Sequence, residues 1–295
     1  MIASIVGNYL MDVGLLTEEQ LHDLLVEHRR VRAKLGMIAV AEGLMTEQEA
    51  DRVNRLQAIM DMRFGDIAVE EGYLTEGQVE TLLKKQGSTY LAFVQAMENQ
   101  KLMKLDLLEQ LLIDFQYDNN LTASDMETLK GDDIDRIIEL FLPLVGKKYE
   151  QIASIALRTI MRLVDQDVHI SKAYLTKQKT AQNGAFQQVE GKKGFTCGMF
   201  GSGIALCPAA SVFGQEYFGT ADEDALDAIG ELINCINGLA VTSFDSRDDS
   251  LELCPPEYYC EMEEIIAEEM LVMPLRIFGK KVDFVIALDD TVAVR

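Results

Sequence analysis

Glycine and threonine return every 29 residues in the first third of this chain, and that period constrains the fold more than any other feature. Gly7, Gly36 and Gly65 are in register, as are Gly14, Gly43 and Gly72, then Thr17, Thr46 and Thr75, then Leu21, Ala50 and Val79. Each Thr opens a T-x-x-E/Q stretch closing at Gln20, Glu49 or Gln78, in which the hydroxyl caps a helix and the third residue on reaches back to the cap. The Gly just ahead suits the end of the preceding helix, where a left-handed backbone is needed. Each repeat therefore reads as short helix, Gly turn, capped helix. A worn fourth copy keeps Phe93, Met103, Leu108 and Leu111 in the matching apolar places, and a half copy follows at 121–125. The pattern predicts a helical repeat domain over 1–116 and a helical linker over 117–145.

From Gly146 the grammar changes. A helix is predicted over 149–164, then strand-like runs at 168–176, 185–189, 194–200 and 203–207 with Gly-rich turns between them. Helices are expected over 209–218 and 222–240, and late strands at 250–254, 270–278 and 282–288, the last two joined across Gly279-Lys280 as a two-residue hairpin. Strands and helices that do not alternate regularly predict α+β, with a mostly antiparallel sheet packed by two long helices.

Charge excludes several classes of partner. The 295 residues hold 49 Asp and Glu against 27 Lys and Arg, a formal charge of −22. No broad cationic surface is available to neutralise nucleic-acid phosphates or dock on anionic lipid. The five Cys are odd in number and form no CxxC pair, as in a reduced cytoplasm. The apolar stretch at 1–16 has no basic leader and carries Asp12, so no secretory signal is expected. No run reaches the roughly 18 uncharged apolar residues of a membrane span. The expectation is a cytoplasmic protein.

The helix over 222–240 is the most informative element. At about 100° per residue, Ala225, Leu226, Ala228, Ile229, Leu232, Ile233, Cys235, Ile236 and Leu239 fill one arc. Asp224, Asp227, Gly230, Glu231, Asn234, Asn237 and Gly238 fill the other. A solvated helix face normally mixes Lys or Arg with its acids, yet from Gly194 through Ser246 there are seven acids and no Lys or Arg. Gly230 sits mid-helix, at a cost of about 1 kcal/mol relative to Ala. Its missing side chain would let another protein's backbone come close, which predicts a docking ridge including Gly230, Asn237 and Gly238.

Two resemblances follow from these residues. Asp227-x3-Glu231-x2-Asn234, with Pro256 after 21 further residues, resembles the motif of the CheC/CheX/FliY family of chemotaxis phosphatases, over about 146–295. The strand pair EMLVMPLRIFGKKVDFVIAL is similar to the end of those domains. The resemblance implies hydrolysis of the aspartyl phosphate of a CheY-type receiver. Asn234 would orient the attacking water, Glu231 would pair with the receiver's lysine, and Asp227 and Pro256 would support the helix. It implies no cofactor of the protein's own, the divalent metal being held by the receiver. The helix over 149–164 offers Glu150 followed by Ala153 where a second Asn would belong, so one site per chain is expected, as in the CheX branch, and with it a homodimer. The repeats resemble the amino-terminal domain of type II secretion ATPases, in which R-L-G, a Gly seven residues on and a closing Gln recur. The third copy offers Arg63-Phe64-Gly65, Gly72 and Gln86, and the second Lys34-Leu35-Gly36, Gly43 and Gln57. The first has Ile5 and His28 in place of Arg and Gln. That resemblance makes cyclic di-GMP a candidate ligand through Lys34, Gln57, Arg63 and Gln86. The repeats read on their own residues are a helical scaffold.

Other chemistries find no support. No Cys is followed by Arg six residues on, which excludes the cysteine phosphatase cradle, and His22, His28 and His169 have no ligand-spaced partner for zinc. Gly198 to Gly203 superficially matches a phosphate loop but lacks its Lys, and a hairpin turn is predicted there. The rival reading is a non-catalytic adaptor that binds a receiver or cyclic di-GMP on the same fold.

Overall fold

The 29-residue period becomes a series of helix pairs: α1 (Ile2–Asp12) with α2 (Glu18–Arg30), α3 (Leu35–Ala41) with α4 (Glu47–Met60), and α5 (Phe64–Glu70) with α6 (Glu76–Lys85). Gly14, Gly43 and Gly72 turn between the members with φ of +79°, +66° and +77°. The hydroxyls of Thr17, Thr46 and Thr75 accept from the backbone N–H of Gln20, Glu49 and Gln78, whose side chains accept in return from the Thr N–H. The worn copy is α7 (Thr89–Asn99) with α8 (Leu105–Asp118), where Lys101 takes the left-handed turn at φ 55° without a Gly. The half copy is α9 (Ala123–Lys130), with Thr122 and Asp125 closing another capping box. Ile38, Val53, Ile67 and Leu82 lie fully buried in a core shared by the second and third pairs.

The computed structural model describes residues 1–60, 62–131, 133–244, 251–289 and 292–295. The chain divides into two units, Met1–Asp132 and Asp133–Arg295, so the expected linker over 117–145 is shared between them. The reason lies in the buried faces. α9 buries Met126 and Leu129 in the first unit, with Lys130 over the ring of Tyr90. The next helix, α10 (Ile134–Phe141), buries Ile137, Ile138 and Phe141, and its Asp135 pairs with Arg158 in the second.

The second unit continues through a 3-10 turn (Leu144–Tyr149), α11 (Glu150–Leu163), β1 (His169–Ile170), β2 (Tyr174–Thr180), β3 (Asn183–Glu190), β4 (Phe195–Gly201), α12 (Cys207–Gly214) and α13 (Glu223–Ser243). It closes with β5 (Glu252–Leu253), β6 (Glu257–Tyr259), β7 (Glu264–Ile277), β8 (Lys280–Leu288) and β9 (Ala293–Val294). The strands form one sheet in the order β1-β7-β8-β4-β3-β5, with β2 and β9 also on β7 and β6 on β3. Every pairing is antiparallel. The fold is α+β, as the sequence predicts.

Several boundaries move. The run at 203–207 is no strand: Gly203 turns at φ +56°, and Pro208 sits in the first turn of α12, where its missing N–H costs nothing. The hairpin turn is Phe278-Gly279, both at positive φ, one residue earlier than expected. Asp165 holds it by accepting from the Phe278 N–H at 2.8 Å. Of the strand predicted at 250–254, residue 250 lies outside the described residues and only Glu252–Leu253 pairs. No helix among the described residues is long and apolar enough to cross a membrane.

Candidate functional site

α13 starts where Asp222 accepts from the Ala225 N–H at 3.1 Å, and Glu223 and Asp224 follow at the positive end of the helix dipole. Ile229, Leu232, Ile233 and Ile236 are fully buried, each worth about 2 kcal/mol, which fixes the helix against β3 and β4. Packing thereby decides which residues remain outside. Asp227 and Glu231 are exposed and Asn234 is half-buried, so the three stand on one ridge. Neither carboxylate forms an ion pair among the described residues. The Asn234 Nδ2 donates to Glu231 Oε2 at 3.4 Å, a weak contact at the edge of bonding distance.

Two docking residues expected from the sequence are corrected. Asn237 is fully buried, donating through Nδ2 to the Oε1 of Gln187 at 2.9 Å and to its backbone oxygen at 3.3 Å. It lies about 120° around the helix from Glu231 and faces the sheet. Gly230 is also buried, and a methyl group there would sit 3.0 Å from the Cβ of Pro256. The room it leaves is filled by this chain's own loop rather than by a visitor. Pro256 therefore packs on the helix at Gly230, one turn before Asn234. Gly238 remains open, with no atom near the place of its missing side chain. Cys235 and Leu239, assigned to the apolar arc, are exposed beside the ridge.

Behind Asn234 lies a residue that the sequence reading did not single out. Gln187 on β3 is 1% exposed, and its Nε2 donates both to Asn234 Oδ1 at 2.8 Å and to the backbone oxygen of Cys254 at 2.7 Å. A signal was present: alternation along β3 puts Gln187 on the same face as the buried Ala185 and Val189, where an apolar residue is the rule. Tyr258 on β6 flanks the acidic start of α13. Its phenol is held above the usual value, first by Glu223, then by desolvation and by Asp227.

The four residues of the cyclic di-GMP expectation belong to the other unit. Lys34 and Arg63 are exposed and occupy the cap positions of α3 and α5. Gln57 donates to the backbone oxygen of Met62 at 3.3 Å and Gln86 to that of Ala33 at 2.8 Å, each closing the loop before a helix. Lys34 and Gln86 line different cavities.

No protein-family model matches the chain, and no curated protein matches it in sequence. Solved structures are similar to about half of it. A CheC-like superfamily protein from Shewanella sp. PV-4 matches over 47% of this chain and 95% of its own, at 13% identity and a TM-score of 0.40. The chemotaxis protein CheX from Desulfovibrio desulfuricans matches over 48% and 98%, at 11% identity and a TM-score of 0.40. A chain of the CheX–CheY–BeF3–Mg complex from Borrelia burgdorferi matches over 47% and 96%, at 16% identity and a TM-score of 0.34. At such values the likeness carries no residue-level role.

Proposed function

We propose that the second unit hydrolyses the aspartyl phosphate of a CheY-type receiver domain. The observation that carries this reading is the pairing of Glu231 and Asn234 on an exposed, cation-free ridge, with the amide held from behind. Asn234 Oδ1 has two lone pairs and Gln187 takes one; Nδ2 has two N–H groups and Glu231 weakly engages one. One acceptor and one donor remain outward, enough to hold a water on one side and a phosphoryl oxygen on the other. An amide does this without titrating.

So small a constellation suffices because an acyl phosphate is already activated. Water adds to phosphorus, the bond from phosphorus to the aspartyl oxygen breaks, and carboxylate, inorganic phosphate and a proton leave. What the enzyme supplies is the in-line position of the water, worth several kcal/mol of barrier in favourable cases. Glu231, exposed and unpaired with any cation among the described residues, is the group to meet the receiver's lysine; the receiver brings the metal.

The test is the decay of labelled phosphate on a CheY-type receiver. The full-length protein should accelerate it, and Asn234→Ala should lose about 100-fold of that acceleration, the scale of removing one positioned group, while remaining folded. Equal decay with and without the protein would leave only the adaptor reading, and binding of the receiver without turnover would establish it.

A further inference from the structure

We infer that Gln187 is a positioning residue, which sets the direction in which the Asn234 amide faces; this rests on the phosphatase reading above. The inference follows from which groups can donate. The backbone oxygen of Cys254 can only accept, so the Gln187 group 2.7 Å from it must be Nε2. The same Nε2, 2.8 Å from Asn234, must then meet Oδ1, which leaves Nδ2 of Asn234 on the outward side, towards Glu231. The other end of Gln187 is fixed as well, since its Oε1 accepts from Asn237 Nδ2 at 2.9 Å, and that nitrogen also reaches the Gln187 backbone oxygen. Each member has one orientation that makes these bonds, with Asn237 Oδ1 left without a partner among the described residues, and the sequence of obligations ends on the half-buried amide of Asn234. A free Asn would exchange its oxygen and nitrogen by rotation about its last bond. Here that rotation would set Asn234 Nδ2 against Gln187 Nε2, two donors in a buried place where an unmade bond is costly. The loop that supplies the Cys254 oxygen is the one whose Pro256 packs on Gly230, so loop and helix are fixed together.

Gln187→Glu keeps the shape and removes donors. As a carboxylate it cannot serve Asn234 or Cys254, and when protonated it regains one O–H. At pH 8 the variant should turn over about 10-fold more slowly than wild type, at an unchanged receiver concentration for half-maximal rate. The ratio of the two rates should climb back towards one as pH falls and the buried carboxyl takes its proton. Gln187→Met, which has no donor to regain, should show the loss at every pH and is the variant of record if the carboxylate prevents folding. Added to Asn234→Ala, Gln187→Met should change the rate no further. A loss that appears as weaker receiver binding, or that multiplies the Asn234→Ala loss, would overturn the inference, as would wild-type rates in both variants. Should Asn234→Ala itself retain full activity, the phosphatase reading falls, and the side-chain amide resonances of Asn234 in labelled protein decide the rest. They should shift and broaden in Gln187→Met; unchanged resonances would refute positioning irrespective of any activity.

Discussion

α11 and α13 are the two long helices of one unit, and the places on α11 that correspond to Glu231 and Asn234 hold Glu150 and Ala153. Ala153 is fully buried, whereas Asn234 is half-exposed. Two polar residues of α11 are committed within the chain: Arg158 to Asp135, and Gln151 to the backbone oxygen and hydroxyl of Ser243. On α13, Asp227 and Glu231 face outward with no cation beside them among the described residues. The same spacing thus buries its third position on α11 and turns it towards the surface on α13.

The comparison breaks first at Asn234. If Asn234→Ala keeps the rate of receiver dephosphorylation instead of losing about 100-fold, α13 is no more catalytic than α11. The reciprocal change, Ala153→Asn, completes the motif on α11 but puts an amide into the core. It should lower unfolding free energy by roughly 2 kcal/mol, read from a urea titration, with no gain in rate. A faster enzyme would mean that α11 can be turned outward after all. Glu231→Lys sharpens the electrostatic half. The receiver concentration for half-maximal rate should rise about 10-fold, and its increase with salt should weaken, because an attraction between exposed charges has been replaced by a repulsion that salt screens. Unchanged affinity across a salt series would detach Glu231 from docking.

Legibility in the sequence followed the range of the interaction. The helix pairs of the first unit rest on capping boxes four residues long and on single left-handed turns, so Thr17, Thr46 and Thr75 announce them directly. α13 was equally plain, since a 21-residue helix with Ile229, Leu232, Ile233 and Ile236 on one side shows its period. What stayed hidden is tertiary. Gln187 and Asn234 are 47 positions apart, and only the pairing of β3 with the buried side of α13 brings them to 2.8 Å. Gly230 differs from expectation for the same reason: the space it leaves is filled by Pro256, which no local rule places there. The polarity of Asn237 points to the ridge, but its angle on the helix turns it inward. β5, β6 and β9 have two or three residues each, too few for an alternation to appear.

The two helices also begin differently, and pH separates them. α11 starts after Tyr149 with no side-chain cap, while α13 starts at Asp222, which accepts from the Ala225 N–H and from the Thr220 hydroxyl at 2.7 Å. Those bonds, the Thr220 one foremost, hold the Asp222 carboxyl below its usual value. A carboxyl with a lower pKa folded than unfolded stabilises the folded chain above its unfolded pKa of about 3.9, and that contribution disappears as pH falls through the folded value. Asp222→Ala should therefore lower the urea midpoint of the second unit at pH 7, and the gap from wild type should close as the titration is repeated towards pH 3. The effect is small because the cap is exposed, and α11 offers no counterpart to it. A gap that stayed constant across that range would show that the Asp222 contribution is steric, not ionic, and the contrast between the two helix starts would then lie in shape alone.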